Sequence, residues 1–144
     1  MPADWRSELN KIMDGRTKAT RAEVESARFA EFLSSVVTPA LKELAAELGQ
    51  HDRKVAVRET SVSSTIAVNN GEMEEISFRV LARSLPVGIV PYAEVRLRKG
   101  QRLVKAEGHF KSAGPPNTIE QVKGPDIIAC FLSYYRTAID VGQG

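Results

Sequence analysis

The chain has 144 residues, of which 42% are hydrophobic and 26% are charged, and its formal net charge is +2. These values fit one globular domain over residues 1–144 and argue against a disordered chain. A net charge this small does not by itself indicate a nucleic-acid or membrane partner.

The first predicted element is a short amphipathic helix over residues 4–14. Its apolar residues recur at intervals of three and four, as on one face of a helix: Trp5, Leu9, Ile12 and Met13. Gly15 predicts the end of this helix, and it opens the polar stretch GRTKAT, which predicts a joint. Residues 1–19 are therefore expected to form a mobile arm ahead of the main body.

A longer helix is predicted over residues 21–48, where the apolar residues from Phe29 onwards again have helical spacing. Pro39 interrupts this pattern. We therefore expect Thr38 to act as an N-cap and Pro39 to take the first position of a helix that kinks or restarts there. Gly49 predicts the end of the helix.

After Gln50 the apolar residues alternate, which is the pattern of half-buried strands. Strands are predicted around Val55, over residues 62–68 and over residues 76–83, with the sequence NNG as a hairpin turn between the last two. The stretch SLPVGIVP predicts a loop or an irregular edge, because it contains two prolines. A second hairpin is predicted from residues 92–99 and 102–110, followed by the loop SAGPPNT and a short last strand at IEQV.

A final helix is predicted from Pro125 to about Ile139, with Gly124 as its cap. Its apolar residues lie nearly all round the helix, so it must be covered on more than one side. The order of elements lacks the alternation of a parallel sheet. We therefore predict an α+β fold, with N-terminal helices, an antiparallel meander of about five strands and a C-terminal helix packed on one face of the sheet.

Basic residues are concentrated in the second hairpin. Residues 1–95 carry 12 basic and 14 acidic residues, whereas residues 96–144 carry 8 and 4. A two-residue turn at Gly100 and Gln101 places Arg96 opposite Lys105 on the outer side of the hairpin. Like charges in this position cost stability, which a bound anion would offset. One interpretation is therefore a nucleic-acid-binding hairpin, and the other is a basic edge that keeps the sheet soluble. The residues concerned are Arg96, Arg98, Lys99, Arg102 and Lys105.

Sequence motifs for catalysis or phosphate binding are absent, including the G-x-S-x-G elbow and the P-loop. His51, His109 and Cys130 lack the close spacing of a zinc site, so we expect neither a metal nor a cofactor. Cys130 is expected to be a buried, unreactive thiol in an apolar helix. A cavity between the helices and the sheet, lined by Phe78, His109 and Tyr135, is the alternative site for a small molecule.

Three functional hypotheses follow, and we rank an interaction or assembly module without enzymatic activity first. The protein would then be a homodimer or a small subunit of a complex, because its last helix is apolar nearly all round. Its interface is predicted at Trp5, Cys130 and Tyr134. Nucleic-acid binding through residues 96–105 ranks second, and small-molecule binding ranks third.

A cytoplasmic location is expected, without a membrane partner. The start MPADWRSELNK is charged and lacks the apolar core of a secretory signal. The single cysteine excludes an intrachain disulfide. No apolar run in the sequence approaches the length that spans a bilayer.

Overall fold

A computed structural model of the chain describes residues 3–99, 101–110 and 117–143. Within these ranges the elements are, in order, α1 (Ala3–Phe32), α2 (Thr38–Gly49), β1 (Lys54–Glu59), β2 (Ser64–Asn70), β3 (Met73–Leu85), β4 (Gly88–Lys99), β5 (Arg102–Gly108) and α3 (Gly124–Gln143). The five strands form one antiparallel sheet in the order β1-β2-β3-β4-β5. The predicted α+β fold with a meander is therefore confirmed.

The core lies between the sheet and two helices. Helix α2 packs on β1 and β2, α3 packs on β3 and β4, and the two helices contact each other. We call the face that they cover the inner face and the opposite one the outer face. Phe78 is fully buried in this core and meets Phe131 of α3 edge-on, with the ring centres 5.6 Å apart.

The predicted break at Gly15 is wrong, because α1 runs without interruption from Ala3 to Phe32. A glycine inside a helix costs only about 1 kcal/mol relative to alanine. The helix formers on both sides of Gly15 carry the helix through it.

The restart predicted at Pro39 takes a different form from the one expected. Residues 33–37 form a π-helical turn between α1 and α2, and the backbone N–H of Thr38 donates to the carbonyl of Leu33, five residues back. Proline cannot donate a helical hydrogen bond, so the regular α-helical pattern is disturbed close to Pro39. Thr38 is not the N-cap, because its backbone is helical and Val37 takes the cap position.

Of the two alternatives predicted for residues 84–91, a loop or an irregular edge, the loop is wrong. Leu85 pairs with Gly88, so Pro86 and Val87 form a two-residue turn, and Pro91 lies inside β4. β5 pairs with β4 only as far as Ala93, so Pro91 lies on a stretch of β4 that β5 does not reach. A proline is tolerated there because one side of the strand is an edge.

The short strand predicted at IEQV is wrong as well. Residues 119–121 form a turn, and the N–H of Ile119 donates to the carbonyl of Ile89 at 2.9 Å. This segment therefore touches the edge of β4 through one backbone bond rather than as a strand. The predicted loop SAGPPNT lies outside the described residues except for its last two, Asn117 and Thr118.

Candidate interaction surfaces

The pairing of β4 with β5 agrees with the hairpin register predicted from the sequence. Arg96 stands opposite Lys105, and Lys99 stands opposite Arg102. Gly100, the first predicted turn residue, lies outside the described residues. The expected apposition of like charges on the outer face is therefore present.

Two of the basic residues of this hairpin are held by Glu74 at the start of β3. Arg96 donates to both carboxylate oxygens of Glu74, each at 2.8 Å, and Arg98 donates to the Glu74 carbonyl at 2.8 Å. Bidentate pairs of this kind are the stronger and more specific ion pairs. Glu74 therefore offsets the repulsion between Arg96 and Lys105 from within the chain.

The other three basic residues of the hairpin lie open at its tip and outer side. Lys99, Arg102 and Lys105 are exposed, and they form no ion pair with a described residue. Of the five residues that the sequence suggested for nucleic-acid binding, these three remain available to an outside anion.

A second bridge crosses the outer face at Tyr92. Arg83 on β3 places its guanidinium carbon 3.9 Å from the centre of the Tyr92 ring and pairs with Glu107 on β5 at 2.7 Å. Tyr92 is only 9% exposed although it lies on the outer face. The ring is therefore covered by a cation rather than offered to a ligand.

Two surface cavities are lined by described residues of the sheet and of α1. One, of about 490 Å³, is a depression on the outer face around Ser77, Arg79, Glu94 and Lys105. The other, of about 380 Å³, lies where α1 meets β3 and β4. Its apolar floor includes Phe29 and Ile89.

The residues that the sequence suggested for a small-molecule pocket do not line either of these cavities. Phe78 and Tyr135 are buried in the core, where Phe131 stacks against the Tyr135 ring at 5.4 Å, and His109 is exposed at the end of β5. Neither of these two cavities therefore corresponds to the small-molecule pocket that the sequence suggested.

Tyr135 belongs instead to a polar cluster that sequence reasoning missed. Its hydroxyl donates to Glu75 at 2.7 Å, and Arg53 donates to the same carboxylate oxygen at 2.8 Å. Burial, together with the bond to the Glu75 carboxylate, raises the pKa of Tyr135 to about 12. This cluster ties α3 to β3 and to the loop before β1.

Of the three predicted interface residues, Trp5 alone is prominently exposed, at 53%. Tyr134 and Cys130 are half-buried on α3, and the Tyr134 hydroxyl lies against Gly108 at the end of β5. Burial raises the pKa of Cys130 to about 11, so its thiol is protonated and weakly nucleophilic at neutral pH. Trp5 is therefore the member of the three that is placed to meet another molecule.

Exposed apolar residues continue along α1 beyond Trp5. Every residue from 5 to 15 is exposed. Large apolar side chains that are about half exposed or more lie along one side of α1, and we call this set the arm stripe: Trp5, Leu9, Ile12, Met13 and Val24. The sequence contained this signal in its helical spacing, but only the structure shows that these side chains are about half exposed or more among the described residues.

No family model, curated protein or solved structure matches this chain. Among the described residues, no three His, Cys, Asp or Glu side chains come together as a metal ion would require. The helices in the described part of the chain are too short or too polar to cross a membrane.

Proposed function

We propose that this protein is a self-assembling interaction module, in which the arm stripe of one copy pairs with that of a second copy. The observation that carries the proposal is the run of exposed residues from 5 to 15 on a continuous helix. A helix in water is normally stabilised by packing an apolar face against something. Here that face is present, and its large apolar side chains are about half exposed or more in the described part of the chain.

The direction of the stripe excludes its own sheet as the partner. At its other end α1 faces the sheet with Ala22, Glu25 and Phe29, which line the 380 Å³ cavity there, and Glu25 accepts a hydrogen bond from Ser84 of β3 at 2.6 Å. At 3.6 residues per turn, the arm stripe points roughly 160° around the helix from this contact side. A straight α1 therefore turns the stripe away from the body and towards solvent.

The charges of the arm allow a second copy to be the partner. Beside the stripe, residues 5–15 contain Arg6, Glu8, Lys11 and Asp14, so the segment has no net charge. Two such segments do not repel each other, and each presents both signs to the other. A strongly charged partner would gain little from a segment of this composition.

The expected affinity follows from the burial of the stripe. Fully burying a large apolar side chain contributes about 1.5–3 kcal/mol, so a half-exposed one gains about 1 kcal/mol. Five such residues per copy give about 10 kcal/mol for a pair, from which association removes at least about 4 kcal/mol. The remainder of at most about 6 kcal/mol corresponds to a dissociation constant of tens of micromolar or weaker.

Sedimentation equilibrium over a concentration series that brackets this constant tests the proposal. We expect the mass to rise from that of the 15.8 kDa monomer towards twice that value. Trp5 is the only tryptophan, so its fluorescence should shift to shorter wavelength as the dimer forms and buries it. A protein that stays monomeric, with unchanged tryptophan emission throughout the series, contradicts the proposal.

A matched pair of variants separates the stripe from the rest of the arm. Leu9→Glu places one negative charge in the stripe, and Ser7→Glu places one on the opposite side of the same helix. Both positions are exposed, so neither change disturbs the core. We expect Leu9→Glu to remove the dimer and Ser7→Glu to preserve it, whereas equal effects of the two would refute a role for the stripe.

A further inference from the structure

The outer face of the sheet is much more basic than the chain as a whole. By their strand pairing, seven basic residues of the described strands lie on this face: Lys54, Arg58, Arg79, Arg83, Arg96, Arg98 and Lys105. Three acidic residues accompany them: Glu74, Glu94 and Glu107. The face therefore carries a net charge of +4, whereas the whole sequence carries +2.

We propose that this face binds the phosphate backbone of nucleic acid without reading its sequence. The proposal does not depend on self-assembly, because the face lies on the sheet and the arm stripe lies on α1. The proposed binding face also extends beyond the basic hairpin, since β1 contributes Arg58 and β3 contributes Arg79 and Arg83.

Internal ion pairs decide which of these basic groups are available. Arg96 is held by Glu74 and Arg83 by Glu107. In contrast, Lys54, Arg58, Arg79 and Lys105 form no ion pair with a described residue. The internal pairs thus neutralise two of the three acids, and the unpaired cations remain for an outside anion.

The unpaired cations are spread across the full width of the sheet. Arg58 and Arg79 both stand opposite Thr65 of β2, so they lie in one row two strands apart, or roughly 10 Å. Lys105 lies another two strands away on β5, and the 490 Å³ depression lies between it and Arg79. This arrangement provides separate cationic positions along a path, which suits a chain of phosphates better than one small anion.

The same face lacks the features that would favour a membrane or the stacking of bases. The ring of Tyr92 lies under Arg83, so no aromatic side chain of the described strands is open on this face for base stacking. Leu85 and Leu103 are the large apolar residues of the described strands that are exposed there, and they lie on different strands, β3 and β5, rather than as one cluster that could insert into a membrane. Contacts made only to phosphates carry no sequence information.

Salt dependence gives the proposal a quantitative form. Four phosphates neutralised on a single strand correspond to a slope of about −3 for log K against log[salt]. Between about 50 and 200 mM salt, the affinity should therefore fall by about 60-fold. Fluorescence anisotropy with labelled oligo(dT) and oligo(U) measures this slope directly.

The decisive comparison uses two triple variants that lose the same charge. Arg58→Ala, Arg79→Ala and Lys105→Ala remove three of the unpaired cations of the outer face. Lys42→Ala, Lys123→Ala and Arg136→Ala remove three exposed cations on or beside the helices α2 and α3. We expect the first variant to reduce the slope to about −1 and the affinity at low salt at least tenfold, and the second to leave the slope unchanged.

Several outcomes would overturn the proposal. No binding at low salt, or equal loss in both triple variants, removes the outer face as a specific surface. Binding to vesicles that contain anionic lipid, without binding to either oligonucleotide, assigns the face to a membrane instead. If inorganic phosphate at micromolar concentration displaces the oligonucleotides, the face contains a small-anion site rather than a path for a phosphate backbone.

Discussion

The hydroxyl of Tyr135 offers a direct test of the polar cluster that joins α3 to the sheet. Tyr135→Phe removes one hydroxyl and leaves the ring stacked on Phe131. The Glu75 carboxylate loses one of its two donors and keeps Arg53. The change therefore isolates a single hydrogen bond to a charged group in a half-buried site.

The magnitude follows from the nature of this bond. A hydrogen bond to a charged partner contributes about 1.5–3 kcal/mol to stability. Arg53 continues to compensate Glu75, so we expect the lower end of that range, about 1.5 kcal/mol. For a chain of this size, such a loss lowers the melting temperature by about 3–6 °C.

The effect has a defined pH dependence. The pKa of Tyr135 is raised to about 12 from its ordinary value of 10, first by burial and then by the bond to Glu75. A raised pKa means that the folded state favours the protonated hydroxyl. The resulting stability is fully present below about pH 10 and is lost as the pH rises towards 12. Tyr135→Phe should therefore be less sensitive to alkali than the parent over that interval.

Urea unfolding followed by far-UV circular dichroism measures both effects. Tyr134→Phe is the matched control, because it also removes a tyrosine hydroxyl from α3. The Tyr134 hydroxyl forms no hydrogen bond with a described residue. We expect this control to change the free energy of unfolding by less than about 0.5 kcal/mol. If both variants lose the same stability, or if Tyr135→Phe shows the alkaline sensitivity of the parent, the reasoning is refuted.

Two further substitutions test close packing and a buried hydroxyl pair. A side chain at Gly108 would collide with the Tyr134 hydroxyl, so Gly108→Ala should lower the free energy of unfolding by about 1 kcal/mol. Tyr134→Phe in the same chain should recover part of this loss in a double-mutant cycle. If the effects of the two changes are fully additive, the two groups do not meet. Thr38→Val should cost about 1–3 kcal/mol, because the Thr38 hydroxyl donates to Glu59 at 2.5 Å and shares a 2.9 Å bond with the fully buried Ser64. Thr38→Ser keeps both bonds and loses only the methyl group, so it should lose less than half as much in thermal unfolding. An equal loss in the two variants would show that the hydroxyl contributes no more to stability than the methyl group.

The strands and the α3 helix could be read from the sequence because their signals are local. The alternation of Ile76, Phe78 and Val80 placed these side chains on one face, and all three are fully buried. The register of Arg96 with Lys105 followed from the short turn between their strands. In both cases, neighbours in the chain are also neighbours in space.

The break at Gly15 and the loop at residues 84–91 were predicted wrongly for a common reason. Glycine and proline lower the propensity of a helix or strand, but they do not exclude it. Gly15 stays in the helix at a small cost. Pro91 stays in a strand because β5 ends before it, and the end of β5 cannot be seen from the residues around Pro91.

The sequence by itself determined the alternation, the helical stripes and the concentration of basic residues in the second hairpin. Only the tertiary structure decided which charges meet. Counting back from Ile76 by twos puts Glu74 on the inner face and Glu75 on the outer one. A bulge opposite Val68 and Asn69 reverses this, so that Glu74 holds Arg96 outside and Glu75 bonds Tyr135 inside. The pairing brings together residues more than 20 positions apart, which no local pattern encodes.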